Sequence, residues 1–326
     1  MTVSRLSAAI DGGLILPEDG TVAVLRPPAM YVLGELPHDR VHVVQPFRPD
    51  FDYWTTAGMT VTSEMPPSAS AVVVVVPRSK ALARDMVARA CALAPGGLII
   101  VDGNKTDGVD SLFKEARKRL GDVASVTKAH GRLFWFRATN KFADWIASPP
   151  ASGPHGYVTT AGVFSDGSVD RGSALLVANL PPKMKGRVGD LGAGWGYLSA
   201  QVLDRAGIKA LDLIEAEVLA LDCARQNVQD PRAAFHWADA ATFRPKTVYD
   251  HVICNPPFHT GRAAEPALGR AFITAAAAML SPRGELWLVA NRQLPYEAPL
   301  AAAFREVAEI AKDGAFKVFH ASRPIR

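Results

Sequence analysis

Asp190-Leu191-Gly192-Ala193-Gly194-Trp195-Gly196 follows a short apolar stretch, Arg187 to Leu191, and precedes a segment with Leu198, Val202 and Ala206 at helical spacing. That context reads as a strand, a sharp turn and a helix over Tyr197 to Ala206, with Gly207 as the stop signal. Glycines in such a turn let the backbone bend and approach a ligand without a Cβ in the way. The pattern alone also fits a dinucleotide site or a plain tight turn. Its value comes from what surrounds it.

Outward from the turn, apolar stretches alternate with helical ones. Ala210 to Ile214, Tyr249 to Cys254, Glu285 to Ala290 and Phe316 to Ala321 read as strands. Glu217 to Val228 and Ala264 to Leu280 read as helices, the latter with Leu268, Phe272 and Ala276 facing inward. This alternation implies a mainly parallel sheet with helices on both faces. A fainter copy lies upstream: a β-branched strand Ala71 to Val76, a helix Lys80 to Leu93, the turn Ala94-Pro95-Gly96-Gly97 and a strand Leu98 to Val101. It has no matching glycine turn, and Pro77-Arg78 stands where the later half has Asn255-Pro256-Pro257. We read it as a duplicated domain that lacks the cofactor site; two unrelated α/β domains are the competing reading. The cluster Ser148-Pro149-Pro150-Ala151-Ser152-Gly153-Pro154 breaks helix and sheet alike. It places a boundary between domains over 1–148 and 149–326.

Carboxylates and one loop supply the chemistry. Asp190, at the strand end beside the glycines, suits a ligand with a cationic amino group and would repel a pyrophosphate. Glu215 ends the next strand about twenty residues beyond the turn, where a carboxylate can accept both ribose hydroxyls. Those two features favour S-adenosylmethionine over a dinucleotide. Asp239, after a further strand, can accept from an adenine amine, or can simply form a loop turn. Asn255-Pro256-Pro257-Phe258 lies at the carboxyl end of a parallel strand, the edge where doubly wound sheets bind ligands. Prolines stiffen the loop and remove N–H donors. The Asn255 side-chain carbonyl and the Pro256 carbonyl can then take the two hydrogens of a planar amine, so transfer depends mainly on positioning. Phe258 offers a flat face to a base. His259 and Arg262 suit a base edge or a phosphate, or are ordinary loop polarity.

Composition narrows the setting without naming a partner. The 326 residues exceed a typical single core. Lys and Arg exceed Asp and Glu by only two in each half, which permits a nucleic-acid substrate but does not argue for one. The longest strongly apolar run, Ala71 to Val76, is far too short to cross a bilayer, and Met1 to Asp11 lacks the features of a secretory signal. Cys91, Cys223 and Cys254 show neither disulfide nor metal-ligand spacing, and the eight histidines form no ligand pair. The expectation is a cytoplasmic protein with no membrane association and no metal.

Taken together, Asp190 to Gly196, Glu215, Asp239 and Asn255 to Phe258 resemble the small-domain class I methyltransferases. Gly162-Val163-Phe164-Ser165, Asp170-Arg171-Gly172-Ser173, Val289-Ala290-Asn291, Leu294-Pro295-Tyr296 and Phe316-Lys317-Val318 extend the likeness to the RsmC/RlmG group of ribosomal RNA guanine-N2 methyltransferases. The resemblance implies two tandem Rossmann-like class I methyltransferase domains, the N-terminal one degenerate. It implies Phe164, Gly172, Asp190, Gly192, Ala193, Gly194, Glu215, Ala216, Asp239, Ala240 and Asn255 around S-adenosylmethionine, with 162–165 and 170–173 packing over it. Asn255, Pro256, Pro257 and Phe258 would be catalytic, and Phe258, His259 and Arg262 would contact ribosomal RNA or the ribosomal subunit. Trp195 departs from the small residues of the turn, and the direction of its ring decides the space left at the methionine end. Methylation of an adenine amine or a protein glutamine amide is the enzymatic alternative. A non-catalytic RNA-binding assembly factor is the alternative of another class.

Overall fold

The computed structural model describes residues 4–153, 155–165, 168–257 and 266–326. The chain divides into two compact units, Met1–Pro149 and Pro150–Arg326.

In the first unit the strands are β1 (Val22–Leu25), β2 (Val41–Val44), β3 (Thr60–Thr62), β4 (Ala71–Val75), β5 (Leu98–Asn104), β6 (Ala124–Lys128) and β7 (Gly131–Arg137). They form one sheet in the order β3-β2-β1-β4-β5-β7-β6, parallel except for β7, which runs antiparallel to both neighbours. Its helices are α1 (Arg5–Asp11), α2 (Arg48–Thr56), α3 (Lys80–Leu93) and α4 (Val109–Leu120). Ala71 to Val74 are wholly buried, as a parallel strand covered on both faces requires, which explains an apolar run without alternation. Helix α3 starts where the Ser79 hydroxyl accepts from the Leu82 N–H at 3.3 Å.

In the second unit a two-stranded ribbon, β8 (Ala151–Ser152) and β9 (Val158–Thr159), precedes α5 (Arg171–Asn179). The strands β10 (Lys183–Leu191), β11 (Ala206–Glu215), β12 (Ala233–Trp237), β13 (Tyr249–Cys254), β14 (Leu280–Asn291), β15 (Phe304–Lys312) and β16 (Phe316–Pro324) follow. Their order, β12-β11-β10-β13-β14-β16-β15, repeats the first sheet strand for strand, again with only the β16 pairings antiparallel. Helices α6 (Tyr197–Leu203), α7 (Val218–Asn227), α8 (Pro266–Met279) and α9 (Glu297–Ala303) complete it. The duplication is therefore real, and both units carry the same seven-stranded topology.

Two apolar layers sandwich the second sheet. Leu176, Val188, Val202, Leu213 and Val289 lie in one, and Val252, Phe272, Ile273, Leu288 and Tyr296 in the other. Side chains of this size contribute about 1.5–3 kcal/mol each when fully buried, so the strand ends they hold are stiff. The order in which successive strands join the sheet reverses between β10 and β13, which are parallel, opening a crevice at their carboxyl ends. Some boundaries differ from the sequence expectation. Helix α6 stops at Leu203, not Ala206, because Ala206 and Gly207 (φ 98°) already belong to β11. The α9–β15 segment had no counterpart in the sequence reading.

Candidate active site

Asp190 is the penultimate residue of β10 and is fully buried. Its Oδ2 accepts from the Ser199 hydroxyl of α6 at 2.7 Å, while Oδ1 has no hydrogen-bond partner among the described residues. Burial pushes the Asp190 carboxyl up to about 7; the nearby Glu215 charge adds to this and the Ser199 hydrogen bond opposes it. A buried acceptor without a donor is costly, so this atom points to a ligand that supplies one. Ser199 was missed in the sequence. Its neighbours Leu198 and Val202 marked the inward face, but nothing singled out the hydroxyl.

The turn beyond Leu191 is held from both sides. Gly192 and Ala193 both donate to the Ile214 carbonyl, at 2.9 and 3.1 Å. The Gly194 N–H donates to Glu215 Oε2 at 2.7 Å, and the Glu217 N–H to Oε1 at 2.8 Å. Burial raises the Glu215 carboxyl despite these two bonds, which favour the charged form. Gly194 has φ 55°, and a Cβ there would meet nothing within 4 Å. Open space over that backbone is where a ligand can lie against it.

Trp195 is buried, and it lines the cleft above the turn together with Gly194. It is buried against Val163, Ala220 and Cys223, with Tyr157 at 5.0 Å and Tyr197 at 5.7 Å between ring centroids. Its indole N–H donates to the Phe164 carbonyl at 3.0 Å, tethering the 162–165 segment to the turn. A partly open cleft of about 40 Å3 runs between them, lined among others by Phe164, Asp170, Ser173, Gly192, Gly194 and Asn255. Ala193 also lines it. Glu215, Ala216, Asp239 and Ala240 do not line this cleft and sit along the ends of β11 and β12. The Asp239 side chain forms a local turn, its Oδ1 accepting from the Ala241 N–H at 2.9 Å. Gly172 is buried under Phe316, whose ring would lie 3.0 Å from a Cβ, so packing alone calls for glycine there.

Asn255 leaves the end of β13 with a half-buried side chain. Its Nδ2 donates to Asp170 Oδ2 at 2.9 Å and to Ser173 Oγ at 2.8 Å. Its Oδ1 is buried and has no partner among the described residues. Pro256 is buried and Pro257 exposed. Phe258, His259 and Arg262 lie outside the described residues. Burial pushes the adjacent Cys254 thiol up, which makes it a neutral core group and not a nucleophile. Among the described residues no group of three or more His, Cys, Asp or Glu could hold a metal ion, and no helix is long and apolar enough to cross a membrane.

A glycine turn tied to a strand-end glutamate, an open acceptor on Asp190 and an open acceptor on Asn255 all lie at the carboxyl ends of neighbouring strands, β10, β11 and β13. They fit S-adenosylmethionine beside a planar amine and define a class I S-adenosylmethionine-dependent methyltransferase. The "Methyltransferase small domain" family matches residues 156–320. A ribosomal RNA small subunit methyltransferase C from Shewanella pealeana is 32% identical over 259 residues, 76% of either chain. One from Psychromonas ingrahamii is 33% identical over 238 residues, covering 69% of this chain and 68% of its own. The solved structure of the Thermus thermophilus 16S rRNA N2 G1207 methyltransferase (RsmC), in complex with AdoMet and guanosine, superposes with a TM-score of 0.75 at 25% identity. That superposition covers 95% of this chain and 90% of the Thermus one. The chain belongs to the small-domain methyltransferases and, within them, to the ribosomal RNA small subunit methyltransferase C family.

Proposed function

We propose that this protein methylates the exocyclic N2 amine of a guanine in small-subunit ribosomal RNA, acting in the cytoplasm. The observation that carries the reading is the Asn255 side chain. Both of its N–H groups are committed to Asp170 and Ser173, which leaves a buried carbonyl oxygen as the acceptor for an incoming amine. S-adenosylmethionine, when bound, supplies an electrophilic methyl group on a sulfonium.

The chain's own residues do the rest by holding and orienting. Asp190 Oδ1 accepts from the ammonium of the methionine portion, Glu215 from the ribose hydroxyls and Asp239 from the adenine amine. The Asn255 and Pro256 carbonyls each accept one hydrogen of the guanine amine and aim its nitrogen, and Pro257 keeps the loop stiff. No strong base is needed, because alignment of the reacting atoms is the main contribution. Phe258 stacks on the base, with His259 and Arg262 beside it for edge or phosphate contacts. The guanosine held by the Thermus relative supports guanine over adenine or glutamine.

Mass mapping of small-subunit RNA from cells with and without the protein tests the reading. One N2-methylguanine should vanish on deletion and return when purified protein and cofactor are added to deficient subunits. An unchanged guanine modification pattern contradicts it.

A further inference from the structure

The Asn255 carbonyl can accept from a target amine only if the side-chain amide is turned with its oxygen toward that amine. An amide can sit either way round, and a half-turn about its last bond would present N–H groups to the target amine. Donor would then face donor, and the amine could not be held. Something must set the orientation.

Asp170 is placed to do this. An ionised carboxylate only accepts hydrogen bonds, so the Asn255 group facing Asp170 Oδ2 at 2.9 Å has to be the NH2. The Ser173 hydroxyl faces the same nitrogen at 2.8 Å, but a hydroxyl tolerates either orientation because it can donate or accept. The same Asp170 oxygen caps α5, accepting from the Ser173 N–H at 2.8 Å. The carboxylate is therefore held by the helix start, and it in turn holds the amide.

We infer that Asp170 is a positioning residue for methyl transfer, its carboxylate fixing the Asn255 amide so that the carbonyl faces the target amine. This rests on the proposed role of Asn255 as amine acceptor. Asp170 touches neither substrate nor reacting atoms in this account. It also makes the segment over the crevice part of the alignment, since the residue that starts α5 sets the geometry at the end of β13.

The test is Asp170→Asn in the full-length protein. Asparagine is nearly isosteric and is itself a good helix cap, so α5 survives, but its side chain can donate as well as accept and no longer dictates the Asn255 flip. Turnover at saturating cofactor and RNA should fall tenfold or more, while the cofactor dissociation constant stays within twofold. In an Asn255→Ala background the same change should have no further effect, because the coupling runs through that amide. Nitrogen-15 NMR of the Asn255 side-chain amide should show slow proton exchange in the wild type and loss of that protection in Asp170→Asn. Near wild-type turnover, or an equal loss in the Asn255→Ala background, overturns the inference. Unchanged amide exchange overturns it as well. If the wild-type protein methylates no guanine, the functional reading fails by that result, while the amide-exchange comparison still decides what orients Asn255.

Discussion

The turns after β1 and after β10 begin with the same backbone geometry and part at Pro28 and Gly194. Strand pairing aligns Leu25 with Leu191 and Val44 with Ile214. Arg26 then corresponds to Gly192: its φ is 55° against 72°, and its N–H donates to the Val44 carbonyl at 2.8 Å as Gly192 donates to Ile214. Met30, with φ 63°, corresponds to Gly196, with φ 90°. Gln45 corresponds to Glu215, and each side-chain Oε1 accepts from the N–H two residues on. The divergence is local. Pro28 stands where Gly194 donates to the glutamate, and a proline has no N–H to give. Gln45 instead donates from Nε2 to the Pro27 carbonyl at 2.8 Å, and Trp54 donates to the same oxygen at 2.9 Å. Val24 replaces Asp190, and Val75-Val76-Pro77 replaces Asn255-Pro256-Pro257, two residues earlier than the Pro77-Arg78 match expected from the sequence. The first unit keeps the scaffold of a cofactor turn and has replaced the groups that would hold a ligand with groups that satisfy one another. Left-handed backbone at Arg26 and Met30 also shows that the fold can carry such φ values on ordinary side chains.

The largest contrast should appear at the Asn255 and Val75 pair. Asn255→Ala should lower single-turnover methyl transfer on the order of a hundredfold or more while leaving cofactor affinity within a few-fold. A replacement at Val75 should leave transfer untouched. Parallel single-turnover assays and cofactor titrations check both, and loss of cofactor binding in Asn255→Ala would blur the division between holding cofactor and aligning amine.

Next in size is Gln45→Glu, which restores the acid without the second N–H that Gly194 gives Glu215. Gln45 is 1% exposed, and a carboxylate facing the Pro27 carbonyl has lost its donor. Denaturant unfolding at pH 7 should show a loss of about 2 kcal/mol or more. Such a carboxyl has its folded pKa raised, so the loss should shrink as pH falls toward 4, where the protonated acid can donate. A variant as stable as wild type at neutral pH would mean the two turns differ less than their hydrogen bonds indicate.

A smaller effect should follow from Asp190. Its carboxyl is raised to about 7, above the unfolded value of 3.8, so its ionisation opposes folding as pH rises through that window. A cationic amino group favours the ionised form. Cofactor affinity should therefore rise with pH up to about 7, by at most tenfold per unit, with proton release on binding. Calorimetry in buffers of different ionisation heat measures this, and Asp190→Asn should flatten the profile. A pH-independent affinity would remove Asp190 from the contact.

The second unit was legible because its glycine turn, strand-end acids and Asn-Pro-Pro loop are contiguous or evenly spaced. Less could be read where contacts span long separations. The Asp170 and Ser173 bonds to Asn255 join residues more than eighty positions apart, and Ser199 meets Asp190 only through the packing of α6 on β10. The first seventy residues offered little, since β1, β2 and β3 are three or four residues long and show no regular alternation of buried and exposed positions. The duplication became plain in the strand order, which composition does not carry. The direction of Trp195 likewise depended on Val163, Ala220 and Cys223 closing around the ring.

The comparison reduces to one claim, that cofactor binding belongs to the second unit alone. Calorimetric titration of the full chain with S-adenosylmethionine tests it most directly. The account predicts one site per chain, abolished by Glu215→Ala and kept by Gln45→Ala. Two sites, or a single site that survives Glu215→Ala and is lost with Gln45→Ala, would contradict it.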